Sequence, residues 1–154
     1  MPLALLVFAT ILAHIAFNGG KLTISLTALS MGASPLTVGV IMSLFAALPM
    51  ALGIHAGRLV DRIGVRIPLI AAVSLLIASV VAPGASPGLP ALFFAAAGIG
   101  SSFMMVHISV QHCVGQHSTL ENRKENFGWL ALGFSISNFI GPTLAGFSID
   151  LLGQ

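Results

Sequence analysis

Five long apolar runs, separated by short stretches of Gly, Pro and charged residues, constrain this chain more than any other feature. They cover approximately residues 3–29, 36–56, 68–82, 90–113 and 127–152. Crossing the roughly 30 Å of hydrocarbon in a bilayer takes about 20 helical residues, or about 10 strand residues. The runs fit helices, and in lipid a helix satisfies its own backbone donors and acceptors. Pro68 and Pro90 each suit the first turn of a helix, where a missing N–H costs nothing. With 56% hydrophobic residues, 6% charged residues and a mean hydropathy of +1.04, the composition lies outside the range of soluble domains. The sequence therefore predicts an all-α integral membrane protein with five transmembrane helices. The first run has no basic region before it and exceeds the apolar core of a signal peptide, so it reads as a retained span.

The stretch Gly57-Arg58-Leu59-Val60-Asp61-Arg62-Ile63-Gly64-Val65-Arg66 holds three of the chain's six Lys/Arg and one of its four Asp/Glu. A charge near the bilayer centre costs on the order of 3 kcal/mol even on lenient insertion scales, so this hinge between the second and third spans belongs in water. The pattern Gly-x-Leu-x-Asp-Arg-x-Gly-x-Arg, at Gly57, Leu59, Asp61, Arg62, Gly64 and Arg66, resembles the signature loop called motif A of the major facilitator superfamily (MFS). Val65 stands where that family often carries a second basic residue. The resemblance implies a cytoplasmic loop. In it Gly57 admits a helix of the other half-transporter, and Asp61 meets that helix's end to hold the outward-open state.

Placing this loop inside puts the N-terminus in the cytoplasm, the loops near Ser34 and Ser86 (Pro83 to Gly88) outside, and the loop near Glu121 inside. Arg58, Arg62, Arg66, Arg123 and Lys124 then all lie on the cytoplasmic side, as the positive-inside rule requires. Trp129 takes an interfacial position, and His55 does the same at the inner end of the second span. Ser118 and Glu121 have the spacing of a capping box that starts the fifth helix. Family members commonly pair an acid at the inner end of the fourth span with the motif A arginine. Here Gly115 and Gln116 stand in that neighbourhood and Glu121 is the nearest acid, which suggests an Arg62 to Glu121 pair.

Lys21 alone breaks the charge rule. If the first helix continues through Gly19-Gly20, then Thr10, His14, Asn18, Lys21 and Ser25 share one face, a polar stripe that faces a cavity rather than lipid. The alternative ends the helix at Gly19-Gly20 and lets Lys21 reach the outer surface. The fourth span is also rich in polar groups: Gly98, Gly100, Ser101, Ser102, His107, Ser109, Gln111 and His112. Candidate cavity residues are His14, Asn18, Lys21, Ser25, Ser102 and His107. With no embedded carboxylate as its partner, Lys21 points to an anionic solute.

An arginine that the family often carries four residues before a glycine, linked to proton coupling, is replaced by Phe94 before Gly98. A coupling proton would then depend on His14 or His107, histidine being the side chain suited to change charge near neutral pH, and the alternative makes both hydrogen-bonded structural residues. His107, His112, Cys113 and His117 do not share one helical face, so no metal is expected. There is no phosphate-binding glycine loop, so no cofactor is expected, and no span pairs an acid with a nucleophile, so the chain reads as no enzyme. The pI of about 9.3 comes from topology signals rather than a nucleic-acid surface.

In the fifth span Gly133, Ser137, Gly141 and Ala145 recur every four residues, a strip of minimal side chains suited to close helix packing. Pro142 should bend the helix. Ser137, Gly141, Pro142, Ala145 and Gly146 also resemble the MFS antiporter signature called motif C, with small residues substituted at two marked positions. That resemblance implies an exporter exchanging its substrate for protons.

Taken together, residues 1–154 read as an incomplete N-terminal six-helix half of an MFS transporter, whose 3+3 repeats surround a cavity closed by a C-terminal half. The expected function is secondary active transport of a small solute across a cell inner membrane by alternating access. The alternative is a five-span protein that pairs with itself or another membrane protein through the Gly133 to Ala145 strip.

Overall fold

The computed structural model describes residues 3–119 and 121–152. Met1, Pro2, Leu120, Gly153 and Gln154 lie outside the described residues. Five helices follow one another: α1 (Leu3–Ser30), α2 (Pro35–Ile63), α3 (Arg66–Ala85), α4 (Leu89–His117) and α5 (Arg123–Leu152). All five are long and apolar enough to cross a membrane.

The helices outrun the apolar runs that predict them. α2 continues past Ala56 to Ile63, so most of the Gly57–Arg66 stretch is helix, and the hinge itself is only Gly64-Val65. At 29 residues α2 is about 43 Å long, against about 30 Å of hydrocarbon, so its last turns reach water without unwinding. Gly64 ends it at φ 75°, a conformation open to glycine, with its N–H on the Val60 carbonyl at 3.0 Å. Pro83, Gly84 and Ala85, expected in a loop, belong to α3, and the link to α4 is Ser86 to Gly88.

The link into α5 also differs from expectation. Thr119, not Ser118, caps the helix: its N–H donates to Asn122 Oδ1 at 2.8 Å, and the Asn122 N–H donates to Thr119 Oγ1 at 3.4 Å. Arg123 N–H then closes the first helical bond on the Thr119 carbonyl. The reciprocal cap is present one residue later than Ser118 and Glu121 suggest, with Asn122 in place of an acid. At the other end of the bundle Ser34 caps α2, accepting from the Thr37 N–H at 3.2 Å, and Pro35 occupies the first helical position.

α1 and α4 form the centre. α1 packs most extensively on α5 and then on α4; α4 packs on α3, α2 and α1. Exchanging α1 with α4 and α2 with α5 maps this pattern onto itself, since the α1–α5 packing answers the α4–α2 packing. The α3–α4 packing has no counterpart on α1. Two apolar clusters lie at the two ends of the bundle. One gathers Ala13, Ala72, Val106, Val110, Val114 and Leu130; the other gathers Ile24, Ile41, Phe45, Leu92, Ala96 and Ile99. Many large apolar side chains, such as Phe8, Met50, Ile54 and Phe139, point outward, as a lipid-facing surface demands.

Glycines on α4 set how near its neighbours come. A Cβ on Gly100 would lie 2.6 Å from the Phe45 carbonyl oxygen and 2.9 Å from its Cα. A Cβ on Gly98 would collide with the Ser79 hydroxyl, which is itself bonded to the Leu75 carbonyl at 2.7 Å. Gly100→Val should therefore push α2 off α4 and lower stability by about 1–3 kcal/mol, measured by unfolding in detergent. Gly57→Ala, whose Cβ meets nothing within 4 Å, should stay within about 0.5 kcal/mol of the parent.

Candidate functional site

Between the two apolar clusters lies a layer of aromatic and polar side chains from α1, α2, α4 and α5. α1 runs unbroken through Gly19-Gly20, which excludes the reading that ends it there. Lys21 stands nine residues before the end of α1, about 14 Å along the axis. Its Nζ sits 4.3 Å over the Phe17 ring and 5.8 Å from the Phe45 ring. Among the described residues it forms no ion pair; the acids Asp61, Glu121, Glu125 and Asp150 all lie at or near helix ends. Asp150 falls within the predicted fifth span, but in its last turn and exposed. The Phe17 face supplies the attraction that a carboxylate would otherwise give.

Beneath Lys21 the rings pack in sequence. Phe17 stacks on Phe103 at 4.5 Å between centroids, Phe103 on His14 at 4.9 Å, and Phe134 meets His14 edge-on at 4.9 Å. His107 lies 5.0 Å from Phe134 and 5.8 Å from Phe103, with its Nε2 2.8 Å from Gln111 Nε2. Asn18 Nδ2 donates to Asn138 Oδ1 at 2.9 Å, tying α1 to α5 in the same layer. Thr10 is buried on the same side of α1, and Ser25 is half-buried one turn beyond Lys21.

The structure thus brings His14, Asn18, Lys21 and His107 together, and Ser102 elsewhere. Ser102 is 1% exposed and lines a pocket of about 440 Å³ between α2, α3 and α4, with His55, Pro68 and Met105 among its walls. Ser102 and His107 are five residues apart, about 140° around the helix, so one face cannot hold both. Phe17, Phe45, Phe103, Phe134 and Asn138 were not singled out by the sequence reading, and Gln111 only as one of the polar groups of the fourth span. The signal was present: Phe103, His107 and Gln111 recur every four residues, as do Phe134 and Asn138.

At the end where the α2–α3 hinge lies, Asp61 Oδ1 faces His112 Nδ1 of α4 at 3.4 Å. The expected Arg62 to Glu121 pair is not formed; both side chains are exposed, and the described ion-pair geometry belongs to Asp61 and His112. Leu59, Arg62 and Arg66 are exposed, and Gly57 has open space where a Cβ would be. Of the residues weighed for a metal, His107 faces Gln111, His112 faces Asp61, and Cys113 is buried in the apolar cluster of Ala72, Val110 and Leu130. The His117 side chain lies outside the described residues.

The small-residue strip of α5 is spent on α1. A Cβ on Gly133 would lie 3.0 Å from Ile11, and one on Gly141 would lie 2.9 Å from the Ile15 carbonyl oxygen and 3.0 Å from Asn18 Cβ. Gly19 answers from α1, where a Cβ would lie 3.1 Å from the Gly141 carbonyl oxygen and 3.7 Å from Ala145. Ser137 Oγ donates to the Gly133 carbonyl at 2.7 Å and reaches the Ile11 carbonyl at 3.3 Å. Pro142 sits inside an α5 that continues to Leu152, and Gly146 lies off the strip. Gly133, Ser137 and Gly141 are buried against α1 and Ala145 is half-buried, so most of the strip that the pairing alternative needs is taken up inside the chain.

Five membrane-length helices around a polar centre define a multi-pass helical membrane protein. The chain belongs to the Major Facilitator Superfamily, a family of membrane transporters, whose family model matches residues 6–154. Among curated proteins none matches it. A double-mutant cycle of Asn18→Ala and Asn138→Ala, read by unfolding in detergent, should return a coupling of about 0.6 kcal/mol and at most about 1.7 kcal/mol; additive effects would remove the bond from the account.

Proposed function

We propose that the chain is the N-terminal portion of a secondary active transporter that moves a small anionic solute by alternating access. The solute cavity lies against the α1–α4 layer and is completed by a C-terminal half. The observation that carries this reading is Lys21: a cation deep in the bundle, resting on Phe17, with no acid beside it among the described residues. Such a group is costly in a membrane unless it meets water or a ligand of opposite charge.

Two features support an incomplete six-helix half. The pairing of α1 with α4 and of α2 with α5 leaves α3 without a counterpart, and a groove of about 340 Å³ runs where one would pack. Gly19, Gly20 and Thr23 of α1 and Gly141, Ala145 and Ser148 of α5 are among its walls. Gly57 also has no packing demand inside the chain, consistent with a helix of another half approaching it. The grouping of Arg58, Arg62, Arg66, Arg123 and Lys124 on one side supports a cytoplasmic N-terminus. Export in exchange for protons is supported by the likeness of Ser137 to Gly146 to the antiporter signature.

Flux tests the reading. In proteoliposomes holding the complete transporter, a panel of organic anions should show uptake or counterflow that Lys21→Ala reduces at least tenfold with unchanged insertion, and that Lys21→Arg partly restores. Unchanged anion flux in Lys21→Ala would overturn the anionic-solute assignment.

A further inference from the structure

The two imidazoles of the aromatic layer come from the two symmetry-related helices, His14 from α1 and His107 from α4, and both contact Phe103 and Phe134. His14 is 8% exposed, and its Nδ1 has no hydrogen-bond partner among the described residues; the same holds for His107 Nδ1. The Gln111 amide nitrogen, which can only donate, faces His107 Nε2. With that amide nitrogen donating, Nε2 accepts and the His107 proton rests on Nδ1, an atom that is buried without a partner among the described residues. Buried polar atoms are ordinarily satisfied, and two imidazole nitrogens without a partner among the described residues, in one layer of a membrane bundle, leave room there for a proton or a ligand.

The surroundings narrow the choice. α2 offers His55, which lines the other pocket. α3 has no titratable group after Arg66, and α5 has none between Glu125 and Asp150. α4 adds His112, engaged with Asp61, and Cys113, buried in the apolar cluster of Ala72, Val110 and Leu130. Lys21 is the fixed charge of the layer, and it is positive. A second positive charge beside it is unfavourable, and a third more so.

We propose that His14 and His107 form one proton-binding site that holds a single proton between them. Occupation of either ring by the proton disfavours the other, because two imidazolium ions and an ammonium in one low-dielectric layer repel one another. Proton uptake at this site stands without any transport; its use as the coupling ion rests on the transporter reading. The proton enters the orphaned lone pair of His14, or Nε2 of His107 when Gln111 turns away, and no other bond changes.

Nitrogen-15 NMR of histidine-labelled chain in nanodiscs, titrated from pH 8 to pH 5, counts the imidazolium populations of His14 and His107 separately. The expected sum is one proton in the parent, one in His14→Gln, one in His107→Gln and none in the double variant. A parent sum of two, with the single variants at one, would make the rings independent and overturn the proposal. So would a parent in which neither ring titrates. Because the parent chain carries the count, loss of folding in a variant does not decide the outcome. Absence of proton-coupled flux with a one-proton count would remove the coupling role alone.

Discussion

Backbone-to-backbone approach holds this bundle together, and everything else in it depends on that approach. In lipid, helices gain little from burying apolar side chains against one another, since the tails are equally apolar, so van der Waals contact and interhelical hydrogen bonds must serve. Gly141 and Gly19 let α5 and α1 touch near Asn18, and Gly100 lets α4 rest on the backbone of α2 at Phe45. The close seams fix α1 between α5 and α4, and only then do Lys21, Phe17 and His14 meet Phe103, His107 and Phe134. The polar layer is a consequence of the glycines around it.

The same geometry explains why the polar side chains are tolerated. Ser137 and Ser79 return their hydroxyls to carbonyls one turn back, so they cost little and let a neighbour come near. Asn18 and Asn138 satisfy each other across the α1–α5 seam. Lys21 and the two histidines are different: Lys21 Nζ rests on a ring, and Nδ1 of His14 and of His107 has no partner among the described residues, which is the pattern expected where a mobile ligand or proton completes the set.

The fold was legible because hydropathy and length decide it in lipid, and all five helices stand where apolar runs predict them. Their ends were not, because the rule that stops an apolar run at the membrane surface does not stop a helix: α2 carries Arg58, Asp61 and Arg62 into water on an unbroken ladder. The stripe from His14 to Lys21 was readable from spacing alone, since one helix face is a local property. The partners were not. Which ring on α4 or α5 meets Lys21 is set by the glycine seams, and Ser102 was misplaced because polarity was weighed without its angle around α4. Asp61 illustrates the same limit, as its contact with His112 joins residues distant in sequence at one end of the bundle.

The central claim is that the Lys21 face of α1 opens to water while the opposite face meets lipid. Cysteine accessibility tests it most directly, in a background where Cys113, the single native cysteine, is replaced by alanine. Single cysteines at Asn18, Lys21 and Ser25 should react with a membrane-impermeant maleimide in nanodiscs, and cysteines at Phe8 and Leu12, exposed on the apolar face, should not. Equal protection of all five positions, or labelling of Phe8 and Leu12 in preference to Lys21, would contradict the account.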